Sequence, residues 1–222
     1  PFDKRDEADA ARKEFATAES DHLTTLEAFN QWKEIRRTSG ERATQSFLRE
    51  NFLSRMTLFQ MEDLRRQFAE NLKDIGFLPK SFRLAGAVGR GRYGERDQQP
   101  AKTNTTNTNE GNSPLLKAIL CAGLYPNVII APEQLVQKDG KPSAKEAGAC
   151  AFQSLKGDVH LHPSTIAFSD KRLDSRYCVY HEMIKTSKTY VRDCTPVSEF
   201  ALLLFGGVLR VYQTHGVASV DE

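Results

Sequence analysis

Residues 176–193 read RYCVYHEMIKTSKTYVRD, and the alternation within them decides the second half of the chain. Over 176–184, Cys178, Tyr180, Glu182 and Ile184 fall two apart and share one face of an extended strand. Over 188–193, Lys188, Tyr190 and Arg192 do the same, with Thr186 and Ser187 in the turn between the two runs. Working outward, the strand-like pattern returns at 128–130, 148–155 and 158–162 before this stretch and at 208–212 after it. A short apolar helix, 199–205, interrupts it and stops at Gly206-Gly207. Five or six short strands in about 95 residues predict a small antiparallel β-barrel. An OB-fold and an SH3-like barrel both satisfy this periodicity.

The first 80 residues carry the other period. Ala8, Ala11, Phe15 and Ala18 are spaced by 3, 4 and 3 and predict a helix over 4–18. Ser20 and Asp21 are N-cap residues for the next helix, in which Leu23, Leu26, Phe29 and Trp32 recur every third position beside Ala28. Lys33, Arg36 and Arg37 crowd its last turn, where they suit the helix dipole, and Ser39-Gly40 ends it. A short helix is predicted near 42–50 with Phe47 and Leu48 inward. After Ser54 comes the longest helix, with Leu58, Met61, Leu64, Phe68 and Leu72 inward and Gly76 as its stop. These stripes read as core, and Trp32 as a core anchor rather than a base-stacking platform. Residues 84–113 break the pattern with Gly, Arg, Thr and Asn and read as a flexible insertion. A further helix is expected at 115–122, ended by Gly123. The fold class is therefore α+β, a helical bundle over 1–126 followed by a small antiparallel barrel over 127–222.

Thirty-one basic against 29 acidic residues leave a net charge of +2, which excludes a histone-like tail or a strongly acidic domain but not a basic face. With 39% hydrophobic and 27% charged residues, a soluble globular protein is expected. No run approaches the roughly 20 apolar residues of a membrane span. The N-terminal PFDKRDE has neither the apolar core of a signal peptide nor a starting Met, so a piece of a longer intracellular protein is expected. Cys121, Cys150, Cys178 and Cys194 include no C-x-x-C pair and read as reduced, mostly buried thiols.

Most chemical motifs fail on inspection. Gly89-Arg90-Gly91-Arg92-Tyr93-Gly94 matches a dinucleotide loop, but 95–100 opens no helix for a pyrophosphate; a solvated loop or an RNA-touching arm fits better. His160 and His162 share a strand face without a third metal ligand nearby. His181-Glu182-Met183-Ile184-Lys185 begins like a zinc-protease helix and fails at its fifth position. Ser20-Asp21-His22 are consecutive, and adjacent side chains cannot form a relay triad. No catalytic, cofactor or metal residue is assigned. What remains is 186–193, which packs hydroxyls, a Lys, an aromatic and an Arg into one turn and strand. A single-stranded nucleic-acid groove is built that way: each stacked base is worth about 1–3 kcal/mol, and each phosphate contact adds salt dependence. An ordinary exposed barrel strand satisfies the same pattern.

Several segments carry a resemblance. They are Ser20-Asp21-His22-Leu23-Thr24 with Ala28-Phe29 and Trp32; Asn51-Phe52-Leu53-Ser54 with Arg66-Gln67; the helix 115–122 running on to Val128; His162-Pro163-Ser164; Val179-Tyr180-His181-Glu182; and the runs 186–195 and 203–207. In this order they resemble the ratchet-like, helicase-associated domain and the OB-fold at the C-terminus of DEAH-box helicases of the RNA helicase A type. The resemblance implies a parent protein that is an ATP-dependent RNA helicase and NTP hydrolase. ATP and Mg²⁺ would be bound by RecA-like motor domains upstream, with no cofactor in this stretch. Walker A, the DEAH box and the arginine motifs are absent from these residues, and 84–113 is not part of the shared pattern.

The resemblance further implies that the two domains hold single-stranded RNA. Its contacts fall on His162, Ser164, His181, Thr186, Ser187, Lys188 and Arg192; Tyr190 also fits, with a barrel-core position as its alternative. The implied partners are single-stranded RNA, a ribosomal subunit or other ribonucleoprotein, and RecA-like and winged-helix domains of the same parent, in the cytoplasm or nucleus and away from membranes. The other class compatible with the residues is a protein-interaction module that docks a cofactor protein or a ribosomal surface.

Overall fold

The computed structural model describes residues 4–84, 108–136, 150–166, 173–211 and 218–221. Most of the insertion at 84–113, the glycine–arginine pattern at 89–94 within it, residues 148 and 149, and Tyr212 lie outside the described residues. The chain divides into two compact units, Pro1–Ala11 with Ala28–Asn107 and Arg12–Glu27 with Thr108–Glu222.

The helical unit is built from α1 (Arg5–Glu14), α2 (Asp21–Thr38), α3 (Gly40–Glu50) and α4 (Arg55–Asp74), the start of α2 and the end of α1 belonging to the other unit. Helix α1 stops at Glu14, short of the Ala18 that the apolar spacing had included. Ala18 and Glu19 both sit in the left-handed region, at φ 50° and 55°, where no helix continues. Gly40, at φ 76°, lets α3 start immediately after α2 in a backbone state that side chains disfavour. Ser54 caps α4 by accepting from the Thr57 amide at 3.3 Å. Gly76 stops that helix as expected: its N–H reaches the Lys73 carbonyl and the Phe77 N–H reaches Leu72, a Schellman closure around φ 77°.

Phe29, Trp32, Leu48 and Leu58 form the unit's core, with Phe47, Leu53, Phe59 and Met61 packed against it. One expectation fails. Leu64, Phe68 and Leu72 of α4, read as inward, are exposed, and so is Leu26 of α2; the side α4 buries is Leu58, Glu62 and Ala69.

The second unit opens with α5 (Ser113–Leu124), capped by the Asn112 side chain on the Leu115 amide, with Pro114 in its first turn. It runs through Gly123 instead of stopping before it, because the Tyr125 N–H still finds the Cys121 carbonyl. The strands are β1 (Val128–Ile130), β2 (Phe152–Ser154), β3 (Gly157–Leu161), β4 (Tyr177–Lys185) and β5 (Thr189–Val197), followed by α6 (Glu199–Phe205). They close in the order β1-β2-β3-β5-β4 and back to β1, with β3 and β5 parallel and every other pair antiparallel. A meander cannot place β5 between β3 and β4. This is the five-stranded Greek-key closure of an OB barrel, which settles the choice that strand spacing left open. The strand expected at 208–212 is β6 (Val208–Val211), which pairs with β7 (Ala218–Asp221) in a separate two-stranded sheet.

Ile129, Phe152, Val159, Leu161, Cys178, Tyr180, Val191 and Cys194 fill the barrel. Val179 and Val197, on the opposite side of their strands, are covered by Cys121 of α5 and Ala201 of α6. The alternation shifts by one residue midway along β4 and β5. Asp193 takes a left-handed φ of 53°, so Val191 and Cys194 both face inward. Across the ladder Tyr180 and Met183 do likewise, which places Glu182 and Ile184 on the other face from Cys178 and Tyr180, contrary to the single face read from the sequence. Residues 12–27 and 108–126 group with the barrel: side chains from 12 to 22 bond to it, and α5 packs on α6.

Candidate nucleic-acid interface

Parallel pairing of β3 with β5 sets His160 opposite Tyr190 and Leu161 opposite Val191. Because Val159, Leu161 and Val191 point into the core, His160, Tyr190 and Arg192 point out. The Tyr190 ring lies 6.0 Å from the imidazole of His160 and 6.0 Å from that of His162, the latter edge-on. Tyr190 therefore stands half-buried on the outer face between two histidines, not in the barrel core. Arg192 faces Glu182 across the ladder at 3.8 Å, with both side chains about half exposed. Such a pair is worth no more than about 1 kcal/mol, and the Arg192 side chain stays 41% exposed beside it, so the outer nitrogens of the guanidinium are open to an anion.

The β4–β5 turn holds Thr186, Ser187 and Lys188, all exposed next to exposed Lys185. The Thr186 amide and hydroxyl both donate to the Lys188 carbonyl, at 2.8 and 3.2 Å, which fixes the tip. Lys188 thus sits in the turn and does not share a strand face with Tyr190 and Arg192, contrary to the spacing-by-two expectation.

His162 begins the loop after β3. Its amide donates to Val191, and its carbonyl accepts from the amide and hydroxyl of Thr165. The Ser164 amide donates to His162 Nδ1 at 3.2 Å, and the Ser164 hydroxyl lies 2.7 Å from the same nitrogen. An Nδ1 that accepts an N–H bond leaves the proton of the neutral ring on Nε2. His181 stands apart from this face: it is exposed on β4, close enough to His22 to act on its charge. The eight sequence-predicted residues thus separate into a strand-and-loop group (His162, Ser164, Tyr190, Arg192), a turn group (Thr186, Ser187, Lys188) and His181 by itself.

Sequence reasoning missed His160 as a member of the aromatic row; it belongs there only because β5 pairs with β3, and no local spacing shows that pairing. It also missed the work of 12–22. Ser20 caps α2 through the Leu23 amide, as expected, but its buried hydroxyl also meets Thr195 Oγ1 at 2.7 Å, where His22 Nδ1 arrives at 2.7 Å. Asp21 is almost wholly buried, and burial raises its carboxyl, while the amides of Ile166 and Cys194 and the Arg12 guanidinium pull it down. Among the described residues no group of three or more His, Cys, Asp or Glu could hold a metal.

Burial lowers the His22 imidazole from its ordinary 6.5, with Asp193 and Asp21 offsetting part of the effect and His181 adding to it. A folded-state value below the unfolded one means the unfolded chain takes up the proton first. The stability His22 contributes is complete above about pH 6.5 and is lost as pH falls from there toward the lowered folded value. The melting temperature should drop as pH falls below about 6.5, and His22→Asn should flatten that drop. An equal slope in both proteins would remove His22 as its source.

Comparison with known proteins adds an independent finding. Residues 116–209 match the oligonucleotide/oligosaccharide-binding (OB)-fold family. DHX57 of Homo sapiens is 40% identical over 100% of this chain and 16% of its own length. DExH1 of Arabidopsis thaliana, named as a DExH-box ATP-dependent RNA helicase, is 34% identical over 94% of this chain and 18% of its own. DHX36 of Homo sapiens, named as an ATP-dependent DNA/RNA helicase, is 33% identical over 100% of this chain and 20% of its own. The chain spans at most a fifth of the length of these relatives.

Proposed function

We propose that this chain, whose residues 116–209 match the OB-fold family and which is similar along its whole length to DExH-box RNA helicases, is the RNA-gripping part of an ATP-dependent enzyme. It would hold single-stranded RNA while motor domains elsewhere in the longer protein use ATP and Mg²⁺. The observation that carries this reading is the outer face of β3 and β5. Tyr190 stands there between His160 and His162 with a loosely paired Arg192 beside it, while Lys185 at the end of β4 and Lys188 in the β4–β5 turn add two exposed cations. OB barrels bind oligonucleotides with the β2–β3 face and the β1–β2 and β4–β5 loops, and 186–188 is the β4–β5 loop. The rings offer stacking surface and the cations offer phosphate contacts, so the grip needs no covalent chemistry. His181, which neighbours His22 and has no ring contact with Tyr190 among the described residues, is proposed only as a peripheral contact. A ribonucleoprotein such as a ribosomal subunit, in the cytoplasm or nucleus, is the proposed setting.

The test is fluorescence anisotropy of the chain with a labelled single-stranded RNA over a series of salt concentrations. Binding should weaken steeply with salt. Lys188→Glu should weaken it roughly tenfold at low salt and reduce the salt slope by about one, with the fold intact. Unchanged affinity in a folded variant would take the turn out of the interface.

A second reading, docking of a protein on this unit, is favoured by Ile119, Phe200 and Leu204, which are 57, 75 and 75% exposed on α5 and α6. Apolar docking there should depend little on salt, which separates it from the RNA reading.

A further inference from the structure

We propose that Asp21 and Arg12 are positioning residues of this grip, holding the 162–166 loop and the kinked segment of β5 in the arrangement that presents His162 and Arg192. This rests on the proposed RNA face and adds to it two residues that lie outside it. Asp21 uses both carboxylate oxygens. Oδ1 accepts from Arg12 Nη2 at 2.8 Å and from the Ile166 amide at 2.9 Å; Oδ2 accepts from the Cys194 amide at 2.8 Å. One carboxylate therefore bridges the loop after β3 and the strand segment just past Arg192.

Arg12 completes the bridge. Its Nη1 donates to the Ser164 carbonyl at 2.6 Å, and Ser164 in turn bonds His162 Nδ1 through both its amide and its hydroxyl. The chain of contacts runs from Asp21 through Arg12 and Ser164 to the imidazole that abuts Tyr190.

The geometry shows what would be lost. Asp193 bends β5 into a left-handed turn of backbone and takes the strand out of simple alternation. The Cys194 N–H that follows points at Asp21. An asparagine at 21 has one acceptor oxygen, and its NH₂ would oppose one of the two amides, so either the loop or the kink loses its anchor. The 12–22 segment is held at further points, by Glu19 on the Asp174 amide and by Ser20 and His22 on Thr195, so loss of the carboxylate does not by itself release it. Through two consecutive left-handed residues, Ala18 and Glu19, the chain delivers Asp21 to this place.

The experiment compares RNA affinity, by anisotropy at fixed low salt, for the chain and for Asp21→Asn, alone and combined with His162→Ala or with Lys188→Glu. Asp21→Asn is expected to weaken binding about tenfold. Its effect should largely vanish in the His162→Ala background, because it acts through that loop, and persist in full beside Lys188→Glu, which lies on a separate turn. Amide hydrogen exchange at Ile166 and Cys194 should quicken in Asp21→Asn without RNA present. Should Asp21→Asn fail to fold, Arg12→Met serves instead, with a smaller loss, about threefold, and partial rescue by Arg12→Lys. Affinity within twofold of the parent chain, or losses that add equally with both second substitutions, overturns the proposal and leaves the RNA face standing. No binding by the unsubstituted chain removes the RNA reading and this inference with it.

Discussion

Trp32→Ala should cost the helical unit about 3–5 kcal/mol, the range for truncating a buried large aromatic. Trp32 is completely buried, its ring 5.6 Å from Phe29 and 5.4 Å, edge-on, from Phe59. The Phe29 contact lies within α2 and the Phe59 contact crosses from α2 to α4, so the cavity would open where the two helices meet. Trp32 is the chain's single tryptophan, so unfolding has to be followed by helical circular dichroism in a denaturant titration rather than by fluorescence. Trp32→Phe separates the two parts of the side chain's role. The indole Nε1–H is buried with no partner among the described residues, and an unmet donor costs about 1–3 kcal/mol. Phenylalanine removes that donor and keeps much of the ring, so its loss should stay under about 1.5 kcal/mol. A loss below about 1 kcal/mol for Trp32→Ala would mean that neighbouring side chains close the space, and that the indole is not the anchor of the core.

The helices could be read from the chain because their signals are local. Stripes at three- and four-residue spacing, Ser54 ahead of α4 and Gly76 behind it are enough to place them, although α1 ends at Glu14 before Ala18 and α5 runs on through Gly123. The side of α4 that is buried could not be read. Leu58, Glu62 and Ala69 lie about 100° around the helix from Leu64, Phe68 and Leu72. The more apolar of the two sides is the exposed one. What turns α4 is a charge, Glu62, drawn inward by an arginine of α2, and no hydrophobic period contains that pairing.

The barrel shows the same limit. Alternation located β1, β3 and β4 closely, yet it failed past Tyr180, because a left-handed residue at Asp193 shifts the phase of β5 and its partner together. The candidate face was half legible for that reason. Tyr190 and Arg192 lie two apart on one strand and announce themselves; His160 joins them only across a parallel pairing, and Asp21 only across more than 140 residues of chain. Asp21 was also masked by its own plausibility, since an Asp at the start of a helix is adequately explained as a cap. Ser20 does the capping, which frees the Asp21 carboxylate for the barrel.

The second large effect is expected at the pair that orients α4. Arg36 Nη1 meets Glu62 Oε2 at 2.9 Å, and the Glu62 side chain is only 2% exposed. The same guanidinium lies over two rings, 5.3 Å from Trp32 and 4.6 Å from Phe59. Arg36→Met removes the cation and leaves a carboxylate buried without its partner, at an expected cost of about 3–5 kcal/mol. The lost cation–π contacts contribute about 0.5–2 kcal/mol of that, less whatever the thioether regains against the same rings. The double variant, Arg36→Met with Glu62→Met, decides what the pair is for. Two charges brought out of water are often matched by apolar side chains of similar volume, so the double variant should recover most of the loss. In that outcome the pair sets the rotation of α4 more than it stabilises the unit, and the sign of its role appears in which face the helix buries. If the double variant stays as unstable as Arg36→Met alone, the Glu62 charge is not the source of the loss, and the contribution of Arg36 lies in its stacking on Trp32 and Phe59.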